Sequence, residues 1–230
     1  MRNISIGSRL LSVAGLVRRG AVLADVGTDH AYLPIYLLKT GGIARAFCTD
    51  INEGPLRSAE ENLKKEGLLG KAEIFLTSGC IGLEGKGITD YTICGMGGEL
   101  IADIISVSEH LRNAELRLVL QPMTKAEQLR KFLWQEGFLI EKEVYSLEDG
   151  KSYVAMLAHF CGEPIACSPS DMWFGKELLM PELWSFEKRK YIASRQSVLK
   201  KIIAGKLAGG EENPPEEKIL SEFYEGYGEI

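Results

Sequence analysis

The chain has 230 residues, of which 45% are hydrophobic and 26% charged, with a net charge of −5 at neutral pH. That is the composition of an ordinary water-soluble globular protein, long enough for one large α/β domain or a core domain with a smaller appendage. No apolar run is long enough to span a bilayer and no signal-type apolar core opens the chain, so the expected location is the cytoplasm.

The first elements alternate helix and strand. Leu10, Leu11, Ala14 and Val17 stand at helical spacing and predict an opening helix over 8–18, followed by a strand near 21–26. A short helix over 32–39 ends at Gly41-Gly42, and Ala44 to Thr49 forms a second strand that finishes at Asp50. Residues 55–66 form a polar amphipathic helix, with Pro55 in its first turn, and 73–77 a third strand. Asp90 to Cys94 is the fourth strand, then Gly95-Met96-Gly97-Gly98 and a helix to about His110. Leu116 to Leu120 is the fifth, broken by Gln121-Pro122-Met123. Thr124 is placed to cap a helix reaching Glu136, with Glu127 completing a capping box.

The pattern then changes. The runs 139–147 and 152–160 flank Asp149-Gly150, a hairpin signal. The expected fold class is α/β: a Rossmann-like, seven-stranded, mostly parallel sheet with one antiparallel strand at its edge. Residues 1–162 are read as that domain. Residues 163–230 are read as a linker and a helical, coiled-coil-like hairpin over about 180–228, with Asn213 as a possible cap for its second helix.

Five cysteines, Cys48, Cys80, Cys94, Cys161 and Cys167, are odd in number and not closely paired, which points to reduced thiols. No Cys/His group has zinc spacing, so no metal is expected. Charge is unevenly spread. Between Glu187 and Lys206 lie seven basic residues against one acid, and Arg2, Arg9, Arg18 and Arg19 open the chain. Such a stripe either holds nucleic-acid phosphates or is a solvated helix face.

In an open α/β sheet, ligands bind beyond the carboxyl ends of the strands. The segment after the first strand, Asp25-Val26-Gly27-Thr28-Asp29-His30, has one glycine where a dinucleotide loop has three. Gly27 admits a ligand close to the backbone. Asp29 would repel a pyrophosphate, whereas an acidic loop suits a ligand carrying an amino group and a sulfonium, S-adenosylmethionine. Asp50, twenty-three residues after Gly27, either accepts ribose hydroxyls or caps the next helix; the readings are compatible. Asn52 and Gly79 follow the second and third strands. The glycines Gly95, Gly97 and Gly98, with Met96, either leave bare backbone for a ligand or make a tight turn. Pro122 either aims Gln121 into the cleft or simply ends its strand.

Four segments carry a resemblance: Ile4 to Leu10, Asp25 to His30, Ile93 to Gly98, and Leu120 to Met123. With Glu148 to Lys151 they resemble the bacterial tRNA (adenine-22)-N1-methyltransferases of the TrmK type, over essentially the whole chain and most strongly in 4–160. The resemblance implies an S-adenosylmethionine-dependent enzyme acting on N1 of an adenine in tRNA. It implies Asp25, Gly27, Asp50 and Gly95 at the cofactor, Asp29 and His30 at the transfer site as catalytic residues, and Met96, Gly97 and Gly98 lining it at the substrate; His30 either orients the base or forms part of the turn. Their places after the strands add Asn52 and Gly79 to the cofactor set and Gln121 and Pro122 to the substrate set, and the uneven charge puts Arg9, Lys188, Arg189 and Arg195 on tRNA phosphates. One departure stands out: Ser78-Gly79-Cys80-Ile81 lacks the acidic residue that many methyltransferases place after the third strand. Two other readings remain, a methyltransferase for a small-molecule or protein acceptor and a non-catalytic RNA-binding protein on this scaffold. The sequence leaves the oligomeric state open, with a monomer as default.

Overall fold

The computed structural model describes residues 5–176 and 184–228. Arg2, and the start of the expected hairpin at 180–183, lie outside the described residues. Seven strands form one sheet in the order β3-β2-β1-β4-β5-β7-β6. They are β1 (Ala21–Val26), β2 (Ile43–Asp50), β3 (Ala72–Leu76), β4 (Asp90–Gly97), β5 (Arg117–Thr124), β6 (Phe138–Glu148) and β7 (Lys151–Phe160). The first five pair in parallel, and β7 runs antiparallel to both neighbours.

The antiparallel strand is therefore not the edge strand. The two-residue turn at Asp149-Gly150 obliges β6 and β7 to pair antiparallel. β6 takes the outer position and β7 fills the slot beside β5, where Val119 faces Leu157.

Helices cover both faces, as a sheet buried on both sides requires. On one face α1 (Ser8–Ala14), α2 (Tyr32–Lys39) and α3 (Glu53–Lys65) pack with Leu23, Ala46 and Cys48. On the other, α4 (Gly98–Ser106) and α5 (Ala126–Gln135) pack with Ile93, Leu118 and Met156. The opening helix is shorter than the periodicity suggests, because Gly15 closes it and the chain turns into β1. Conversely, β4 and β5 run on through Gly97 and Thr124, with shifted register opposite Met96.

Thr124 does not cap α5. It belongs to β5, the cap position falls on Lys125 in a left-handed conformation, and no side chain caps the helix. Glu127 is thereby free for another partner, described below. Asn213 likewise lies outside the last helix, which Pro214 caps and Pro215 opens.

A short helix, α6 (Pro169–Phe174), sits within the segment read as linker, held by a capping box of Ser168 and Asp171. It joins α7 (Phe186–Ala208) and α8 (Pro215–Tyr227) around a small core of Phe174, Trp184, Ile192, Leu199, Leu220 and Phe223. That assembly is tied to the sheet by Arg130 of α5, which is wholly buried. Its Nε donates to Glu143 of β6 at 2.7 Å, and Nη1 donates to the carbonyls of Met172 and Trp173. Glu143 in turn accepts from the Tyr145 hydroxyl, and the rings of Tyr145 and Tyr191 lie 5.1 Å apart.

Removing one partner of a buried ion pair strands the other charge without water. Arg130→Met is expected to cost about 3–5 kcal/mol of stability in urea unfolding, because Glu143 loses its counterion. A loss under about 1 kcal/mol would show that this contact does not hold the C-terminal helices to the sheet.

Candidate active site

The strand order reverses between β1 and β4, and there the loops after the two strands splay apart. A cavity of about 280 Å³ opens at that point. Asp25, Gly27, Thr28 and Asp29 enter it from β1, and Cys94 and Gly95 from β4. Arg9 of α1, Tyr32 of α2 and Met123 of β5 complete the wall.

Asp25 is the buried anchor. Its two carboxylate oxygens accept hydrogen bonds of 2.6 Å from the hydroxyls of Thr28 and Thr92. Thr92 stands opposite Asp25 in the β1–β4 register, so the parallel pairing itself supplies one donor. Burial raises the Asp25 pKa, and the two hydroxyls counter part of that rise. The same burial, reinforced by the nearby Asp25, pushes the Cys48 thiol up to about 12. Each oxygen of Asp25 thus accepts one hydrogen bond from the protein, which ties the strand end to the loop that follows.

In that loop the N–H groups of Gly27 and Thr28 both donate to the Thr49 carbonyl, at 2.8 and 2.9 Å. They are committed to β2 and cannot cradle a pyrophosphate, in line with the single glycine of the motif. Gly27 has φ +71, and a Cβ there would lie 2.2 Å from the Met96 methyl. Asp29 and Ala31 also adopt positive φ, +48 and +56, which is costly for a non-glycine residue and marks functional loops. The outcome is a carboxylate held out at the rim: the Asp29 side chain is 69% exposed. His30 stands 3.6 Å from it through Nε2 and stacks on Tyr32 with ring centres 5.2 Å apart.

The opposite wall is built around Gln121, which is fully buried rather than open to the cleft. Its Oε1 accepts from Arg9 Nη1 at 2.7 Å and from the Gly95 N–H at 3.3 Å, and its Nε2 donates to the Pro122 carbonyl. Arg9, expected on tRNA phosphates, instead turns inward to Gln121, with Glu148 accepting from its backbone N–H. Gly98 also departs from expectation. A Cβ there would sit 2.2 Å from the Lys125 carbonyl, so this glycine serves the close approach of α4 to the start of α5. Met96 packs over Gly27, and Gly97 precedes α4 beside Thr124.

Asp50 accepts from the Asn52 N–H at 2.8 Å, and the cap position of α3 falls on Asn52, whose side chain makes no cap bond. Gly79 accepts from the Thr49 hydroxyl through its carbonyl and borders Ile104, away from the cavity. Of the basic stripe, Lys188 is buried with its ammonium over the rings of Tyr145 and Trp184. Arg189 lies over Trp184. Arg195 donates to Glu127 at 2.6 Å and covers the Trp173 ring. Lys206 pairs with Glu211 and Glu216 of the neighbouring segment. The stripe is not one free face, because 23 helical residues wind their charges around the axis toward the sheet and toward α8. Arg18 too is committed, to Asp90 at 2.8 Å.

Two residues of the site are not singled out by sequence reasoning. Tyr32, half exposed in the cavity wall, reads there only as helix, and Thr92 only as strand. Tyr32 carries a sequence signal, an aromatic just beyond the acidic loop; Thr92 carries none until β4 is known to lie beside β1. Among the described residues, no group of three or more His, Cys, Asp or Glu could hold a metal ion, and no helix is long and apolar enough to cross a membrane.

Residues 6–156 match the family model of a methyltransferase domain. The tRNA (adenine(22)-N(1))-methyltransferase of Bacillus subtilis is 36% identical over 159 residues, 69% of this chain and 66% of that protein. Sp1610 of Streptococcus pneumoniae is 34% identical, with a TM-score of 0.78 over 95% of this chain and 96% of the other. This chain belongs to the tRNA (adenine(22)-N(1))-methyltransferase family. The Streptococcus protein has also been solved in complex with S-adenosyl-L-methionine, at 35% identity and a TM-score of 0.76 over 87% and 91% of the two chains. M. capricolum TrmK, solved with S-adenosyl-homocysteine, is 27% identical with a TM-score of 0.72 over 94% and 92%. The aligned stretch spans just under two thirds of the Bacillus enzyme's length.

The double hydroxyl clamp on Asp25 is directly testable. Thr92→Val keeps the shape of the side chain and leaves one buried carboxylate oxygen without its donor, so a loss of about 1–3 kcal/mol in denaturant unfolding is expected. Unchanged stability would mean that Asp25 is not held through Thr92.

Proposed function

We propose that this chain transfers a methyl group from S-adenosylmethionine to N1 of an adenine in tRNA, at position 22 as in its Bacillus relative, and does so in the cytoplasm with its substrate. The observation that carries the reading is the cavity at the β1/β4 switch point, rimmed by a strained acidic loop instead of a phosphate-binding glycine loop. With the Gly27 and Thr28 N–H groups already satisfied, the donor set does not suit a pyrophosphate. Asp29 at the rim, and Asp50 outside the cavity lining at the end of β2, suit an amino group, a sulfonium and ribose hydroxyls. In this reading Asp50 and the Gly27 and Gly95 backbone hold the cofactor. Gly79, Gly97, Gly98 and Gln121 are given supporting roles. Residues 163–230 form an appendage that helps hold the tRNA.

When bound, S-adenosylmethionine supplies an electrophilic methyl on a sulfonium, open to the in-plane lone pair of adenine N1. The acceptor needs no activated nucleophile, and alignment is the main task of the protein. The Tyr32 ring, half exposed in the pocket wall and tilted against His30, offers a face on which the base can stack. Because N1 lies on the pairing edge, the adenine must be unpaired or turned out of its helix. Positive charge gathers on the purine as the new N–C bond forms. The Asp29 carboxylate stabilises that charge, all the more once the base covers it and excludes water. His30, 3.6 Å from that carboxylate, is a positioning residue for it.

Incubating the protein with labelled S-adenosylmethionine and unmodified tRNA, followed by nucleoside analysis, is expected to yield 1-methyladenosine. Asp29→Asn is expected to bind S-adenosylmethionine within a few-fold of the parent while turnover falls by roughly 10²-fold, the size of losing one preorganised charge-stabilising group. Near-normal turnover in that variant removes Asp29 from the chemistry. Labelled cofactor bound without any methylated adenosine removes the proposed substrate.

A further inference from the structure

A second and larger cavity, of about 530 Å³, lies beside the first, and Met123 lines both. Its walls come from the β5–α5 junction, the β6–β7 turn and one face of α7. Four cations line it, Lys125, Lys151, Lys190 and Arg195, and no acidic side chain does. Two of them have counterions: Arg195 pairs with Glu127 at 2.6 Å and Lys125 with Glu99 at 3.9 Å. Lys151 makes no ion pair among the described residues. Lys190 lies over the Phe186 ring and likewise has no ion pair among them.

The α7 helix brings Lys190 and Arg195 to a wall that already holds two lysines. Like charges gathered around a concave space repel, and an anion in that space relieves the repulsion. The rest of the lining is mixed. Ser152 and Ser194 offer hydroxyls, Leu147 and Val154 an apolar floor, and Tyr153 an aromatic face. Arg9 of the first cavity lies 5.9 Å above that same Tyr153 ring, so the two cavities share a wall. A volume in this range is that of a ligand pocket, and its chemistry is that of one nucleotide, a flat base with an anionic phosphodiester.

We propose that this cleft seats the nucleotide adjoining the target adenosine, with Lys151 and Lys190 holding its phosphodiester and Tyr153 against its base. The inference rests on the tRNA reading of the neighbouring pocket, and it moves the nucleic-acid contact from the outer stripe of α7 to the groove between α7 and the hairpin. It also gives Glu127 a purpose, since its ion pair with Arg195 sets α7 at the width that forms the groove.

Lys151, Lys190 and Ser194 are exposed, so their substitution leaves the core intact. Binding of fluorescent unmodified tRNA to the full chain is measured by anisotropy over a range of salt. For K151Q/K190Q the slope of log affinity against log salt is expected to shrink by about 0.7, the contribution of the one single-strand phosphate that is no longer neutralised. KM for tRNA is expected to rise about tenfold, while S-adenosylmethionine binding by calorimetry stays within twofold. Ser194→Trp, which fills the cleft without changing charge, is expected to raise KM in the same way. Wild-type salt slopes and KM in both variants overturn the cleft assignment. Cleft-dependent tRNA binding by a parent protein that forms no 1-methyladenosine keeps the cleft and overturns the methylation reading instead. Formation of 1-methyladenosine with unaffected variants does the reverse.

Discussion

A buried carboxylate held by two threonine hydroxyls governs this molecule. Asp25 sits where β1 gives way to its loop, and Thr92 reaches it from the adjacent strand while Thr28 reaches it from the loop. A carboxylate without water is costly, so the loop must keep Thr28 where it satisfies the charge. That demand brings the Gly27 and Thr28 N–H groups onto Thr49, bends Asp29 and Ala31 into left-handed backbone, and leaves Asp29 standing at the rim. The strained rim and the satisfied anchor are one device.

A second polar cluster organises the facing wall. Gln121 joins β5 to the irregular end of β4 through Gly95 and to α1 through Arg9, while Glu148 from the β6–β7 hairpin meets α1 as well. Four elements distant in sequence are therefore fixed relative to one another next to the cavity. A neutral amide suits this position, because it can donate and accept at once and costs less to bury than an ion. In the same arrangement the Arg9 guanidinium is engaged in holding the wall.

The C-terminal helices are attached by a different principle. Arg130 spans from α5 to Glu143 and to two carbonyls of α6, and the second link is Arg195 to Glu127. Such pairs add little net stability over apolar contacts, yet they are intolerant of misregistry. Position is what they supply. They set α7 against the hairpin at one spacing, and the cationic groove is the space that spacing leaves.

Alternation of apolar strands and amphipathic helices is enough to identify the sheet, its seven strands and the hairpin, because period and turn chemistry act over a few residues. The motif at Asp25 to His30 is legible for the same reason: strand, glycine and acid are neighbours in the chain. Other features need contacts between distant residues. Nothing local tells Thr92 that it faces Asp25, Glu127 that Arg195 will pair with it, or Gly98 that the Lys125 carbonyl will press on it. Charge counting along α7 likewise marks basic residues but not their directions, and a helix turns successive residues through every direction around its axis. Local pattern was enough for the fold class and the place of the acidic loop, but not for the order of the last two strands. Only tertiary structure decided which cations are engaged inside the protein and which still face a groove, since that depends on what each side chain meets after the sheet has closed.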